Sequence, residues 1–302
     1  MSPSSQSSPR TIAPATGKLG VLTVGLGAVS STLIAGVELA RRGLAAPVGS
    51  LTQMGTIRLG KRTDNRSPLI KDFVPLASLD DIVWGAWDPF PDDAYVAAQR
   101  AGVLEGPKHI EGIADTLRSI RPMKAAFDRQ YVKNIDAGNV MGSVDKRAML
   151  NAIREDIHRF RDTNKVERMV MIWCASTEKF IEPGPAHRDL AAFEKAIDAN
   201  DPTIAPSMLY AYAAILEGIP FANGAPNLAV DTPVLRDLAI ERGVAISGKD
   251  FKTGQTMVKT VIAPMLKARM LGLSGWYSTN ILGNRDVEVL DDPENFKTKE
   301  ES

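Results

Sequence analysis

The sequence predicts an α/β chain: a doubly wound parallel sheet over residues 18–256, then the start of a second α+β domain over residues 257–302. Three stretches carry this reading. Residues 19–24 are a short apolar run, the mark of a strand buried on both faces. Gly25 and Gly27 follow at once, and Leu33, Val37 and Ala40 then recur at helical spacing up to Arg41, Arg42 and a glycine stop at Gly43. Residues 168–174 form a second buried run that ends in Ala175, Ser176 and Thr177, small and hydroxyl residues where open α/β sheets place ligands. Residues 244–246 read as a strand that leads through a polar loop into an apolar helix with Val258, Val261, Ile262, Met265 and Leu266.

The chain has 302 residues, 44% of them hydrophobic, enough for a sizeable core and roughly two domains. Thirty-six basic residues balance 36 acidic ones, which favours neither nucleic acid nor an anionic membrane. A single cysteine, Cys174, allows no intrachain disulfide and fits a reducing compartment such as the cytoplasm. No apolar run approaches the roughly 18–20 residues that a membrane-spanning helix needs. His109, His158 and His187 are scattered, so no metal centre is predicted. Residues 1–17 are rich in Ser and Pro without an acidic residue and read as a disordered tail.

The other elements follow in order. Residues 50–60 read as a loop plus a strand, and 61–66 as a solvated loop. Residues 80–88 read as a strand ending in Asp88, placed to take the hydroxyls of a ribose; the alternative is that Asp88 or Asp92 caps the helix that follows. Residues 105–165 are mostly helical, with a solvated helix at 147–162 and no evident chemistry. Cys174 lies within its strand as a core thiol. An amphipathic helix covers 187–199. Ser207 opens another that ends at Gly218, its Met and Tyr side chains core rather than ligand contacts. Residues 223–227 are a turn cluster, and Asp231, Thr232 and Pro233 start a helix. Residues 273–279 look strand-like, with Asn280, Asn284 and Asp286 at their end. The last residues are charged and show no capping signal.

Two motifs carry chemistry. Gly25 and Gly27 let a pyrophosphate approach a helix N-terminus, or simply make a tight turn without a ligand. Residues 247–256 place small and hydroxyl residues before a helix, so free N–H groups, Thr253, Thr256, Lys252 and Lys259 could hold an anion while Asp250 moves a proton nearby. The plain alternative is an ordinary helix start capped by Thr253.

Beyond these, a series of short motifs falls in one order: Leu51-Thr52-Gln53, Trp87-Asp88, Thr177-Glu178, Pro206-Ser207, Leu216-Glu217-Gly218 with Pro220, Asn223-Gly224 with Pro226, residues 248–256, Asn280 through Asn284 with Asp286, and Phe296 to Glu300. This order resembles the myo-inositol-1-phosphate synthase (inositol-3-phosphate synthase) family from about Lys18 onward. The resemblance implies a Rossmann-like domain and an NAD-dependent cyclisation of glucose 6-phosphate to inositol phosphate, by oxidation, enolisation with aldol closure, and reduction. By matched position it implies that Gly25, Gly27, Ser31 and Thr32 hold the pyrophosphate, Asp88 the ribose, and Ala175, Ser176 and Thr177 the NAD groove. Thr253, Gly254, Gln255 and Thr256 would hold the sugar phosphate. Asp250, Asn280, Asn284 and Asp286 would surround the reacting carbons, and Lys299 would stabilise the oxyanion. It further implies a homotetramer in inositol and phospholipid biosynthesis, and more chain after the lysine segment, with further active-site lysines. The chain departs from the family pattern at Ala28, Val29, Ser30, Ser176, Arg285 and Val287.

Overall fold

The computed structural model describes residues 16–277 and 285–301. Six strands, β1 (Lys18–Val24), β2 (Ile82–Asp88), β3 (Met123–Lys124), β4 (Val166–Trp173), β5 (Phe221–Asn223) and β6 (Ile246–Ser247), form one parallel sheet in the order β3-β2-β1-β4-β5-β6. The first strand is central, paired with β2 on one side and β4 on the other. The chain therefore reverses its direction of travel across the sheet between β1 and β4, and a crevice opens at their carboxyl ends. This is the doubly wound, Rossmann-like architecture the sequence predicts.

The helices run α1 (Ala28–Arg41), α2 (Leu51–Met54), α3 (Ile70–Phe73), α4 (Ala94–Ala101), α5 (Ala114–Ser119), α6 (Lys146–Asn164), α7 (Leu190–Asp198), α8 (Pro206–Leu216), α9 (Pro233–Arg242), α10 (Gly254–Ala268), α11 (Asp286–Leu290) and α12 (Pro293–Glu300). One face of the sheet is covered by α1, α4 and α5, which pack Ile34, Leu39, Ala97 and Leu117 together. The other face carries α6 and α8. Helix α6 is not a fully solvated helix. It is capped by Asp145, which accepts from Ala148 N, and it buries Met149, Leu150, Ile153, Ile157 and Phe160 along one stripe. Helix α8 is buried almost throughout, with Tyr210 edge-on to Trp87 and Trp173 at 5.3 and 5.8 Å. Its Met and Tyr residues are core, as expected.

Several expectations need correction. Residues 50–60 form no strand: α2 occupies 51–54, because a short turn closes on Gly55 whose N–H donates to Leu51 O. Residues 221–223, of which Asn223 was read as the start of a turn cluster and the others were given no element, are strand β5; three residues with a proline before them give too short a period to read. Among the described residues 273–277 there is no strand. The helix after β2 is capped by Asp93, not Asp88 or Asp92. Asp292 caps α12, with Pro293 in its first turn, so the C-terminal segment does carry a helix-start signal.

Helix α10 forms as the apolar periodicity predicts, yet buries none of its residues. Val261 is 69% exposed and Met265 53%.

Candidate active site

The crevice is a cleft of about 1070 Å³ lined by all the sheet's central strand ends. At its floor, Gly25 N donates to Trp87 O and Cys174 N to Val24 O, both at 2.7 Å, which knits the ends of β1, β2 and β4. Gly25 has φ +95°, and a Cβ there would lie 2.6 Å from the Ala175 backbone, so no side chain fits. Gly27 precedes α1 with no side-chain cap, which leaves the first-turn N–H groups facing the crevice. Thr32 lines the cleft. Ser31 does not: it is buried, with its hydroxyl donating to Ala28 O at 3.4 Å.

Asp88 ends β2 and meets the glycine turn directly. Its Oδ2 accepts from Leu26 N at 2.6 Å and its Oδ1 from Phe90 N at 2.9 Å. Burial raises its pKa, against the pull of those two N–H groups. The Arg285 guanidinium stacks 3.9 Å over the Phe90 ring at the same corner.

On the other wall, Ala175 and Ser176 line the cleft, whereas Thr177 is buried behind them. Cys174 is not a core residue within the strand: it lies one residue past β4, half-buried, and lines the cleft, and burial pushes its thiol up to about 11, which keeps it neutral. Glu178 follows and is buried. Ser207 N and Ser207 Oγ donate to its two oxygens at 3.0 and 2.5 Å, and Asn227 Oδ1 accepts from its backbone N–H. Burial pushes its carboxyl up to about 7 despite these bonds. Glu178 was visible only as part of the Thr177-Glu178 motif. Asp128 and Tyr131, on a loop read as without chemistry, also line the cleft, and no periodicity or motif marked them.

The far end is built from the loop after β6. Asp250 N donates to Ala225 O at 3.1 Å and Phe251 N to Gly224 O at 3.0 Å, which straps this loop to the end of β5. Asp250 sits in the left-handed region, φ +62°, and its two carboxylate oxygens accept from Lys299 Nζ at 3.0 and 3.1 Å. Lys252 Nζ approaches the same carboxylate at 3.4 Å. Asp286 lines the cleft beside them. Burial raises its pKa, Lys299 lowers it and Asp250 raises it. Thr253 lines the cleft, while Gly254, Gln255 and Thr256 continue from it in the first turn of α10, outside the lining residues. Asn280 and Asn284 lie outside the described residues.

The structure thus brings Gly25, Gly27, Thr32, Asp88, Ala175, Ser176, Asp250, Thr253, Asp286 and Lys299 to one cavity. Two carboxylates with a lysine between them can stabilise a developing negative charge and hold a proton beside it. Among the described residues, no three His, Cys, Asp or Glu side chains are grouped as a metal site requires, and no helix is long and apolar enough to cross a membrane.

Comparison with known proteins adds to this geometry. Residues 19–284 match the family model described as myo-inositol-1-phosphate synthase. Inositol-3-phosphate synthase 1 of Bacteroides thetaiotaomicron is 54% identical over 293 residues, covering 96% of this chain and 67% of that protein. The inositol-3-phosphate synthase of Citrus paradisi is 35% identical over 300 residues, covering 94% of this chain and 58% of that one. The crystal structure of inositol-3-phosphate synthase from Caenorhabditis elegans superposes with a TM-score of 0.86 at 29% identity, covering 94% of this chain and 59% of that one. The chain therefore spans between 58% and 67% of the length of these curated relatives.

Proposed function

We propose that this chain, which belongs to the myo-inositol-1-phosphate synthase family, holds the cofactor and substrate cleft of an NAD-dependent cyclase that converts glucose 6-phosphate to inositol 3-phosphate with no net redox change. One observation supports this above the rest: the glycine turn with Asp88, and the Asp250–Thr253 loop with Asp286 and Lys299, line a single cleft. A hydride passes between cofactor and sugar only if both occupy such a shared space.

The residues present fit NAD. The bare Gly25 backbone against Ala175 and the uncapped start of α1 suit a pyrophosphate, and Asp88 stands where a ribose is held. Thr32, Ala175 and Ser176 form the remaining wall, with Ser31 and Thr177 behind it. When bound, NAD supplies reversible hydride acceptance. The chain supplies the rest. Thr253, on the cleft wall, presents its backbone N–H and hydroxyl to the sugar phosphate, with the first-turn N–H groups of Gly254, Gln255 and Thr256 following behind it. Asp250 aims Lys299, whose charge stabilises the oxygen that becomes anionic during enolisation. Asp286, beside Asp250 and Lys299, is placed to take or give a proton at the reacting carbons.

The same reading takes residues 257–302 as the start of a catalytic and oligomerisation domain, and the assembly as a cytoplasmic homotetramer that feeds inositol to phospholipid synthesis. The uncovered apolar face of α10 supports an assembly or a domain that packs there.

Incubation of the protein with glucose 6-phosphate and NAD tests the function. Inositol phosphate should form with no accumulation of NADH. Accumulating NADH would make the protein a dehydrogenase, and cofactor binding with neither product would leave a nucleotide-binding relative. Lys299→Ala should abolish cyclisation and spare NAD binding; unchanged turnover would remove its role.

A further inference from the structure

Helix α12 reaches the cleft with Lys299, and one turn earlier it is held by Asn295. This side chain is almost fully buried. Its Nδ2 donates to Tyr131 O at 2.9 Å and to Thr177 O at 2.7 Å. Those two carbonyls belong to different loops: Tyr131 itself lines the cleft, and Thr177 follows the lining residues Ala175 and Ser176. Both partners are acceptors, so only the amide NH₂ group can face them. Asn295 Oδ1 is buried with no partner among the described residues.

Asn295 and Lys299 are four residues apart on one helix, so they share a face. Further contacts hold the first turn of α12, and in the next turn Lys297 Nζ lies 4.1 Å over the Phe180 ring. Phe180 N donates to Glu294 O at 3.0 Å, and Lys133 pairs with Glu294 and with Asp292. Lys133 and Glu294 are half exposed, and such pairs contribute little. The buried amide joins the helix to two loops at once, on the face that it shares with Lys299.

We propose that Asn295 is a positioning residue for Lys299: by tying α12 to the Tyr131 and Thr177 carbonyls, it sets the register in which the lysine meets Asp250 inside the cleft. This role rests on the function proposed above only for the use made of Lys299; the placement itself can be read without turnover. The test follows the rate at which trinitrobenzenesulfonate labels individual lysines in the full chain, resolved by peptide mass spectrometry. The exposed Lys195 on α7 and Lys71 on α3, both away from Asp250, serve as internal references.

Asn295→Asp keeps the shape but sets carboxylate oxygens against two carbonyls. It should speed Lys299 labelling roughly fivefold to tenfold, as expected for the loss of about one net hydrogen bond. The rates at Lys195 and Lys71 should hold. Asn295→Ser, which keeps one donor and the least disturbance, should give a smaller rise of the same kind and decides the matter if the aspartate variant does not fold. A folded Asn295 variant with unchanged Lys299 labelling overturns the proposal. So does a rise at all three lysines together, which would mean general loosening. Wild-type protein that forms no inositol phosphate, yet shows Asn295-dependent labelling, would sink the proposed reaction and leave the placement standing.

Discussion

Helices α8 and α10 were both legible as apolar helical runs, and the fold treats them in opposite ways. Helix α8 lies between the sheet and the surrounding helices with nearly every residue buried, while α10 buries none. Periodicity tells which residues share a face; it does not tell what covers that face. The sheet half of the molecule carries its own complement of partners. Helix α10 runs on into exposed apolar residues such as Met270, 94% exposed.

The sharpest break in this comparison comes from the core. Trp87 is fully buried, donates from Nε1 to Asp156 Oδ2 at 2.8 Å and packs on Tyr210. Trp87→Ala should cost about 3–5 kcal/mol in a denaturant titration. A loss below 1 kcal/mol would show that the sheet is not the cooperative unit.

Next comes Glu178. Its carboxyl stands near 7 in the fold against an ordinary 4.5. The folded state therefore holds the proton more tightly, and stability falls as pH rises from about 4.5 to 7, then levels off. The cost at pH 8 is about 3 kcal/mol at most. Glu178→Gln should flatten that slope and gain most at pH 8. A variant whose stability keeps the wild-type slope would reassign the titration to another group.

A smaller effect separates the two halves by ligand. Asp88→Ala should weaken NAD binding about tenfold, or ~1.4 kcal/mol, by isothermal titration, whereas Lys299→Ala leaves it intact. Unaltered affinity in the Asp88 variant would refute the ribose assignment. The smallest effect belongs to α10. Val261→Ser with Met265→Ser should change stability by no more than about 0.5 kcal/mol while reducing self-association on a sizing column. A loss comparable to that of Trp87→Ala would show that α10 is core after all.

What could be read from the residues alone follows the same division. Strands β1, β2 and β4 are long enough, and apolar enough, to declare themselves, and the glycines after β1 mark the crevice. Strand β5 is three residues behind a proline, and its pairing with β4 comes from the sheet, not from its own sequence. The Glu178–Ser207 contact joins residues 29 apart, and Asn295 reaches carbonyls 118 and 164 residues away, distances over which no local pattern carries information. Asp128 and Tyr131 came to the cleft on an irregular loop, where side-chain direction depends on the whole fold.

The strand order also bears on how the molecule is made. Strand β1 pairs Lys18 with Val166, so the innermost strand leaves the ribosome long before its second neighbour. At roughly 5–20 residues per second, one edge of that strand waits on the order of ten seconds for its partner. During that interval a nascent chain offers an open ladder to chaperones and to other polypeptides alike.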